Sequence, residues 1–189
     1  TYMEMSDGFK IERGYISPYM IIDPDRMETV LEKPYFLLTD YRLLEHTDVI
    51  PVMEKMVKAG KRELVIIADG VESNALATLI ANKVQGKFFT IAINAPGGEN
   101  KKVLLEDIGI LLGAKVFTDS QGDKLETATV EDLGRAERFI CRQDESIIVG
   151  PKGKKTDTLK AISAAKNAME RETIPSRKEF ATYRYGKLT

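Results

Sequence analysis

The stretch Leu64-Val65-Ile66-Ile67-Ala68-Asp69-Gly70-Val71-Glu72-Ser73-Asn74-Ala75-Leu76-Ala77-Thr78-Leu79-Ile80-Ala81-Asn82-Lys83-Val84-Gln85-Gly86 sets two structural periods side by side. Leu64 to Ala68 is a short unbroken apolar run, the pattern of a strand covered on both faces. From about Asn74 to Gln85 the apolar residues recur at helical spacing, with Ser73 placed to cap the start and Gly86 to stop it. The same alternation extends outward. Tyr35-Phe36-Leu37-Leu38-Thr39 reads as a buried strand after Pro34. A helix is expected near Val49 to Ala59, with Asp48 or Thr47 as N-cap, Pro51 in its first turn and Gly60 past its end. Beyond Gly86, Phe88 to Ile93 is a third strand, Asn100 to Leu112 a helix ending at Gly113, and Ala114 to Thr118 a fourth strand. This β-α-β-α-β-α-β order predicts an α/β fold with a central, mostly parallel sheet flanked by helices.

The flanks add strands of a different kind. Residues 1–34 are rich in Gly, Pro and turn signals, with short β-like runs such as Gly14-Tyr15-Ile16. Arg138 to Arg142 and Ser146 to Val149 read as a hairpin about Asp144-Glu145. Asp157 to Glu172 is helical, with Leu159, Ile162, Ala165 and Met169 on one stripe. Pro175 breaks it, and Ser176 is placed to cap a last segment toward Tyr185. No internal repeat or low-complexity tract interrupts the chain.

Composition narrows the chemistry. The 189 residues suit one domain with at most a short appendage, and 43% hydrophobic with 30% charged residues describes a globular chain. Twenty-eight basic residues against 29 acidic ones give no general attraction to nucleic acid or anionic membrane. No apolar run approaches the roughly 18 residues of a membrane span, and Thr1-Tyr2-Met3-Glu4-Met5 lacks the features of a leader. One cysteine, Cys141, permits no internal disulfide and fits a reducing compartment. With His46 as the sole histidine, a Cys/His zinc site or a His-dependent triad is very hard to assemble; its setting reads as a solvated position before a helix.

Three loops invite a test for phosphate or metal chemistry. Val149-Gly150-Pro151-Lys152-Gly153-Lys154-Lys155-Thr156 has two residues between its glycines, where a P-loop needs four, and an extra lysine. A basic turn before a helix is the favoured reading. Ala95-Pro96-Gly97-Gly98-Glu99-Asn100-Lys101 precedes a helix, but it is no dinucleotide fingerprint and Glu99 would repel phosphate. Asp69 and Glu72 share a strand-end loop with no further ligand in view, so solvated acids are expected there.

The two central helices are more apolar than a sheet cover requires. On the first, Val49, Val52 and Met56 form one flank and Ile50, Met53 and Val57 the next, opposite Pro51, Glu54, Lys55 and Lys58. That arc is roughly 160°, against about 100° for a surface helix. On the second, only Thr78, Asn82 and Lys83 interrupt Leu76, Leu79, Ile80, Val84 and the alanines. Patterning favours two well-buried core helices; an exposed groove for apolar peptides is the other reading. Gly14 to Ile22 is equally double-sided, fitting a buried β edge or a contact loop.

At these segments the chain resembles the GroEL family of group I chaperonins. Arg13-Gly14-Tyr15-Ile16-Ser17-Pro18-Tyr19 is similar to the family's R-G-Y-[LI]-S-P-Y, and Ala75 to Asn82 to its A-L-A-T-L-V-V-N. Lys58-Ala59-Gly60-Lys61, Ala95-Pro96-Gly97 and Ala128-Thr129-Val130-Glu131-Asp132-Leu133-Gly134 follow in order and spacing. From about Gly8 onward the resemblance implies an apical-domain-like fold over residues 1–174, with 175–189 beginning a connection to an intermediate domain. It implies a site for nonnative polypeptides and for the mobile loop of a GroES-like co-chaperonin. The matching positions are Tyr15, Ser17, Tyr19 and Met20, then Ile50 and Met53, then Leu76, Ile80, Ala81 and Asn82.

Other implications concern the parent protein. ATP and Mg would belong to an equatorial domain, whose G-D-G-T-T motif is not in this sequence, so this chain is expected to hold no cofactor, metal or catalytic residue. The parent would be a heptameric ring in the bacterial cytoplasm or an organellar matrix, and the fragment either a monomer or one that packs its groove against a neighbour or its own tail. Met20 and Ala81 replace the family's frequent Phe and Val, which implies a shallower or more adaptable groove. Gly97-Gly98-Glu99-Asn100-Lys101-Lys102 replaces G-F-G-D-R-R.

Overall fold

The computed structural model describes residues 8–189, so the leader-segment reading of Thr1–Met5 lies outside the described residues. In chain order come strands Gly8–Ile11 (β1), Thr29–Glu32 (β2), Tyr35–Thr39 (β3) and Arg42–Leu43 (β4), then helix Ile50–Lys58 (α1). Glu63–Ala68 (β5), Gly70–Val71 (β6), Ser73–Val84 (α2), Phe89–Asn94 (β7), Lys101–Leu112 (α3) and Val116–Phe117 (β8) follow. The chain closes with Gly134–Cys141 (β9), Ser146–Pro151 (β10), Lys155–Arg171 (α4) and Pro175–Leu188 (α5).

This is a mixed α/β fold. Its 8-stranded sheet runs β1-β10-β9-β3-β5-β7, with β2 on β9 and β8 on β3, and β4 pairs β6 separately. Only the half containing β3, β5, β7 and β8 is parallel. The half formed by β1, β10, β9 and β2 is antiparallel, and β9 joins β3 antiparallel. The expected mostly parallel sheet is therefore corrected to a mixed one. The hairpin was visible in its local pattern; its attachment to β3, about a hundred residues away, depends on a long-range pairing that periodicity does not encode.

Layering explains the buried runs. Leu37, Leu64, Ile66 and Ala92 pack under Val52, Met56, Ala75 and Leu79 of α1 and α2. The opposite face gives Phe36, Leu38, Val65, Ile67 and Ile91 to Leu105, Ile108 and Leu112 of α3. Helix α3 is covered again on its outer side, where Leu111 meets Ala161, Ala165 and Leu188. A strand covered by helices on both faces has no polar alternation to show, which is why β5 is apolar from Leu64 to Ala68 after Glu63 at its start.

Three local expectations change. On α4 the inward stripe is Ala161 and Ala165, while Leu159 is 57% exposed, because small side chains let α4 approach α3 closely. Helix α5 runs past Tyr185 to a buried Leu188, with Pro175 at its first turn. Neither Asp48 nor Ser73 caps a long helix. Asp48 instead accepts from the Leu44 and Glu45 amides within the turn before α1, at 3.0 and 2.9 Å, and Glu72 and Val49 occupy the N-cap positions without side-chain bonds.

Candidate functional site

Helix α1 is seated by its deepest residues. Val49, Val52, Met53 and Met56 are buried against the sheet, whereas Ile50 is half-buried and Val57 is 42% exposed. The broad apolar arc thus divides into a core flank and a surface flank. On the far side Lys55 Nζ donates to the Glu126 and Ala128 carbonyls at 2.9 and 2.7 Å, fixing the helix's rotation. The turn before α1 is tied to α2 by Asn74 Nδ2 donating to Glu45 at 3.0 Å.

Between the two helices lies an open cleft of ≈ 670 Å³. Ile50, Met53 and Val57 of α1 form its apolar wall, and Thr78 and Asn82 of α2 face them. Phe88, buried in the core below, supplies the floor. Asn82 Nδ2 is committed to the Thr78 carbonyl at 2.9 Å. Its Oδ1 accepts from no donor among the described residues, so it is open to an incoming N–H. Glu54 and Lys58 border the α1 wall, and Arg62 and Lys87 close one end.

The residues singled out from the sequence fall into four groups. Ile50, Met53 and Asn82 line this cleft. Leu76 and Ile80, both half-buried, lie on the other flank of α2, the flank of Lys83, whose Nζ donates to the Ile21 carbonyl at 2.8 Å. Ala81 is exposed on the outer surface of α2. In the N-terminal segment, Tyr19 stands 69% exposed on the turn Pro18–Met20, which packs beside α2. Its neighbours point inward. Ser17 accepts the Tyr19 amide at 3.3 Å and starts that turn. Met20 is 2% exposed, and its sulfur accepts the Ala92 amide of edge strand β7 at 3.4 Å. Tyr15 packs against both sheet-face cores, and its hydroxyl is buried without a partner among the described residues. The segment is both a β-edge cover and a surface turn.

Sequence reasoning did not assign Thr78, Arg62, Lys87 or Phe88 to a site. Thr78 was accessible from its position one turn before Asn82. Arg62 and Lys87 lie in turns, where no periodicity signals which face they join. They are brought together when the Arg62 guanidinium donates to the Lys87 carbonyl at 3.0 Å.

The strand-end loops are occupied by structural roles. Lys101 pairs with Asp69 across the loop before α3. Gly153 donates its amide to the Leu111 carbonyl at 2.7 Å, and a Cβ there would stand 2.1 Å from the Ile110 carbonyl oxygen. The glycine in the basic turn is required by close backbone approach. Lys152 is paired with Glu137. Cys141 is buried, which pushes its thiol up to about 11; a nucleophilic cysteine needs the opposite shift. His46 is exposed, and among the described residues no group of three His, Cys, Asp or Glu side chains is arranged for a metal. No helix among the described residues is long and apolar enough to cross a membrane. The chain matches no protein-family model, and a functional reading therefore rests on the chemistry of the cleft.

Proposed function

We propose that the chain binds nonnative, apolar polypeptide segments in the cleft between α1 and α2, as the apical-domain-like part of a GroEL-type chaperonin. The observation that carries this reading is the surface flank of α1: Ile50 and Val57 remain accessible beside a cleft floored by Phe88. A leucine-sized side chain removed from water there would gain roughly 1.5–3 kcal/mol. Asn82 Oδ1 adds a directional acceptor for the partner's backbone. The mobile loop of a GroES-like co-chaperonin is the second expected occupant, and Leu76, Ile80 and Tyr19 extend the apolar surface around α2. ATP and Mg belong to other parts of the parent ring in this reading.

Binding of an unfolded apolar protein, or of a mobile-loop peptide, tests it by fluorescence anisotropy. Val57→Glu and Ile50→Glu should each weaken binding by about tenfold or more, since a carboxylate is desolvated against the apolar wall. Circular dichroism should show an unchanged fold, because neither side chain is in the deep core. Undiminished binding by both folded variants would overturn the assignment.

A further inference from the structure

The cleft is unevenly charged along its length. Ile50, Glu54 and Lys58 lie one turn apart on α1, a line spanning about 12 Å, with Met53 and Val57 beside it. At the far end Lys58, Arg62 and Lys87 gather, and Glu54 is the lone carboxylate lining the cleft. The Arg62–Lys87 bond joins the two turns that carry these cations. Neither the Lys58 nor the Lys87 ammonium has a hydrogen-bond or ion-pair partner among the described residues. Glu63 follows Arg62 in sequence but alternates onto the α3 side of β5 with Val65 and Ile67, where Glu32 is the charge that perturbs it. The C-terminus of α1 contributes about half a negative charge, too little to offset three cations.

We propose that the cleft selects apolar segments that carry carboxylates at one end, so its preferred occupant is an acid-flanked apolar peptide. This rests on the cleft being a peptide site. An extended chain rises about 3.3 Å per residue, so roughly four residues reach from Ile50 to the cationic end. Apolar side chains then lie on Met53 and Val57 while an Asp or Glu meets Lys58, Arg62 and Lys87. Backbone amides near the middle face Asn82 Oδ1.

Three labelled peptides with one common apolar core, flanked on one side by aspartates, lysines or serines, provide the test by anisotropy at low and high salt. The aspartate peptide should bind roughly tenfold more tightly than the lysine peptide at low salt, with the ratio shrinking as salt screens the pairs. In Lys58→Glu/Lys87→Glu the order should reverse, and in Lys58→Gln/Lys87→Gln the ratio should approach one. All four substitutions replace exposed side chains, and a thermal melt confirms the fold. Equal binding of the two charged peptides to the wild-type chain, or an acidic preference that survives in the glutamate variant, overturns the proposal while leaving the cleft reading intact. Failure of all three peptides to bind, the serine one included, sinks the cleft reading and the proposal together.

Discussion

Cys141 and Glu63 show how burial at a single position sets chemistry. The Cys141 sulfur lies under the sheet, where Ser146 Oγ donates to it at 3.3 Å, and burial holds the thiol up to about 11. At pH 8 it should react with a disulfide reagent only as the fold opens. A kinetic trace matching global unfolding checks this; a rapid stoichiometric reaction of the native protein would contradict it. Glu63 is raised above its ordinary 4.5, first by partial burial and then by the charge of Glu32. A carboxyl raised in the folded state binds protons more tightly there than in the unfolded chain. Stability is therefore lost as pH rises from about 4.5 through the folded value, and the penalty is complete above it. Glu63→Gln should accordingly raise the denaturation midpoint at pH 7, and the gain should vanish at pH 4.

Among the elements, α5 is anchored at its C-terminal end. Its first turns are exposed, while its last turn inserts Leu188 and sets Arg184 Nε and Nη2 on the Asp107 carboxylate at 2.7 and 3.0 Å. Asp107 is 2% exposed on α3, under the end of α5 that carries Arg184. Losing the acid strands a cation, but Arg184 can still reach water, so Asp107→Ala should cost about 2 kcal/mol, less than the ~3–5 kcal/mol of a fully buried pair. Hydrogen exchange should accelerate in 175–189 before it does in α1 or α2. The sequence made the elements legible where one period ran unbroken, as in Leu64 to Ala68 and Val49 to Ala59. It was ambiguous wherever a residue's neighbour comes from far away. Asp107 reads as an ordinary surface acid until Arg184 arrives, and Leu159 looks like core until Ala161 and Ala165 take the contact. The same limit applied to the cleft: the family resemblance marked Ile50, Met53 and Asn82, and helical spacing put Ile50, Met53 and Val57 on one flank, but neither pointed to the two turns that deliver Arg62 and Lys87.

At the scale of the molecule, two sheet halves share one strand, and the apolar cleft lies on the face opposite α4 and α5. Substitutions on the cleft rim and in the outer helix pair should thus add independently in a double-mutant comparison. Lys187 Nζ donates to the Lys10 carbonyl at 2.8 Å and its ammonium rides over the Phe9 ring, so the final turn of α5 lies against β1. With the first and last elements touching, residues 8–189 form nearly a closed loop of chain. Joined by a short Gly/Ser linker and cut anew at the exposed Gln121-Gly122 bend, the molecule should fold as a circular permutant melting within about 5 °C of the original. The cleft would then move as one cartridge, able to be spliced into the surface loop of an unrelated host.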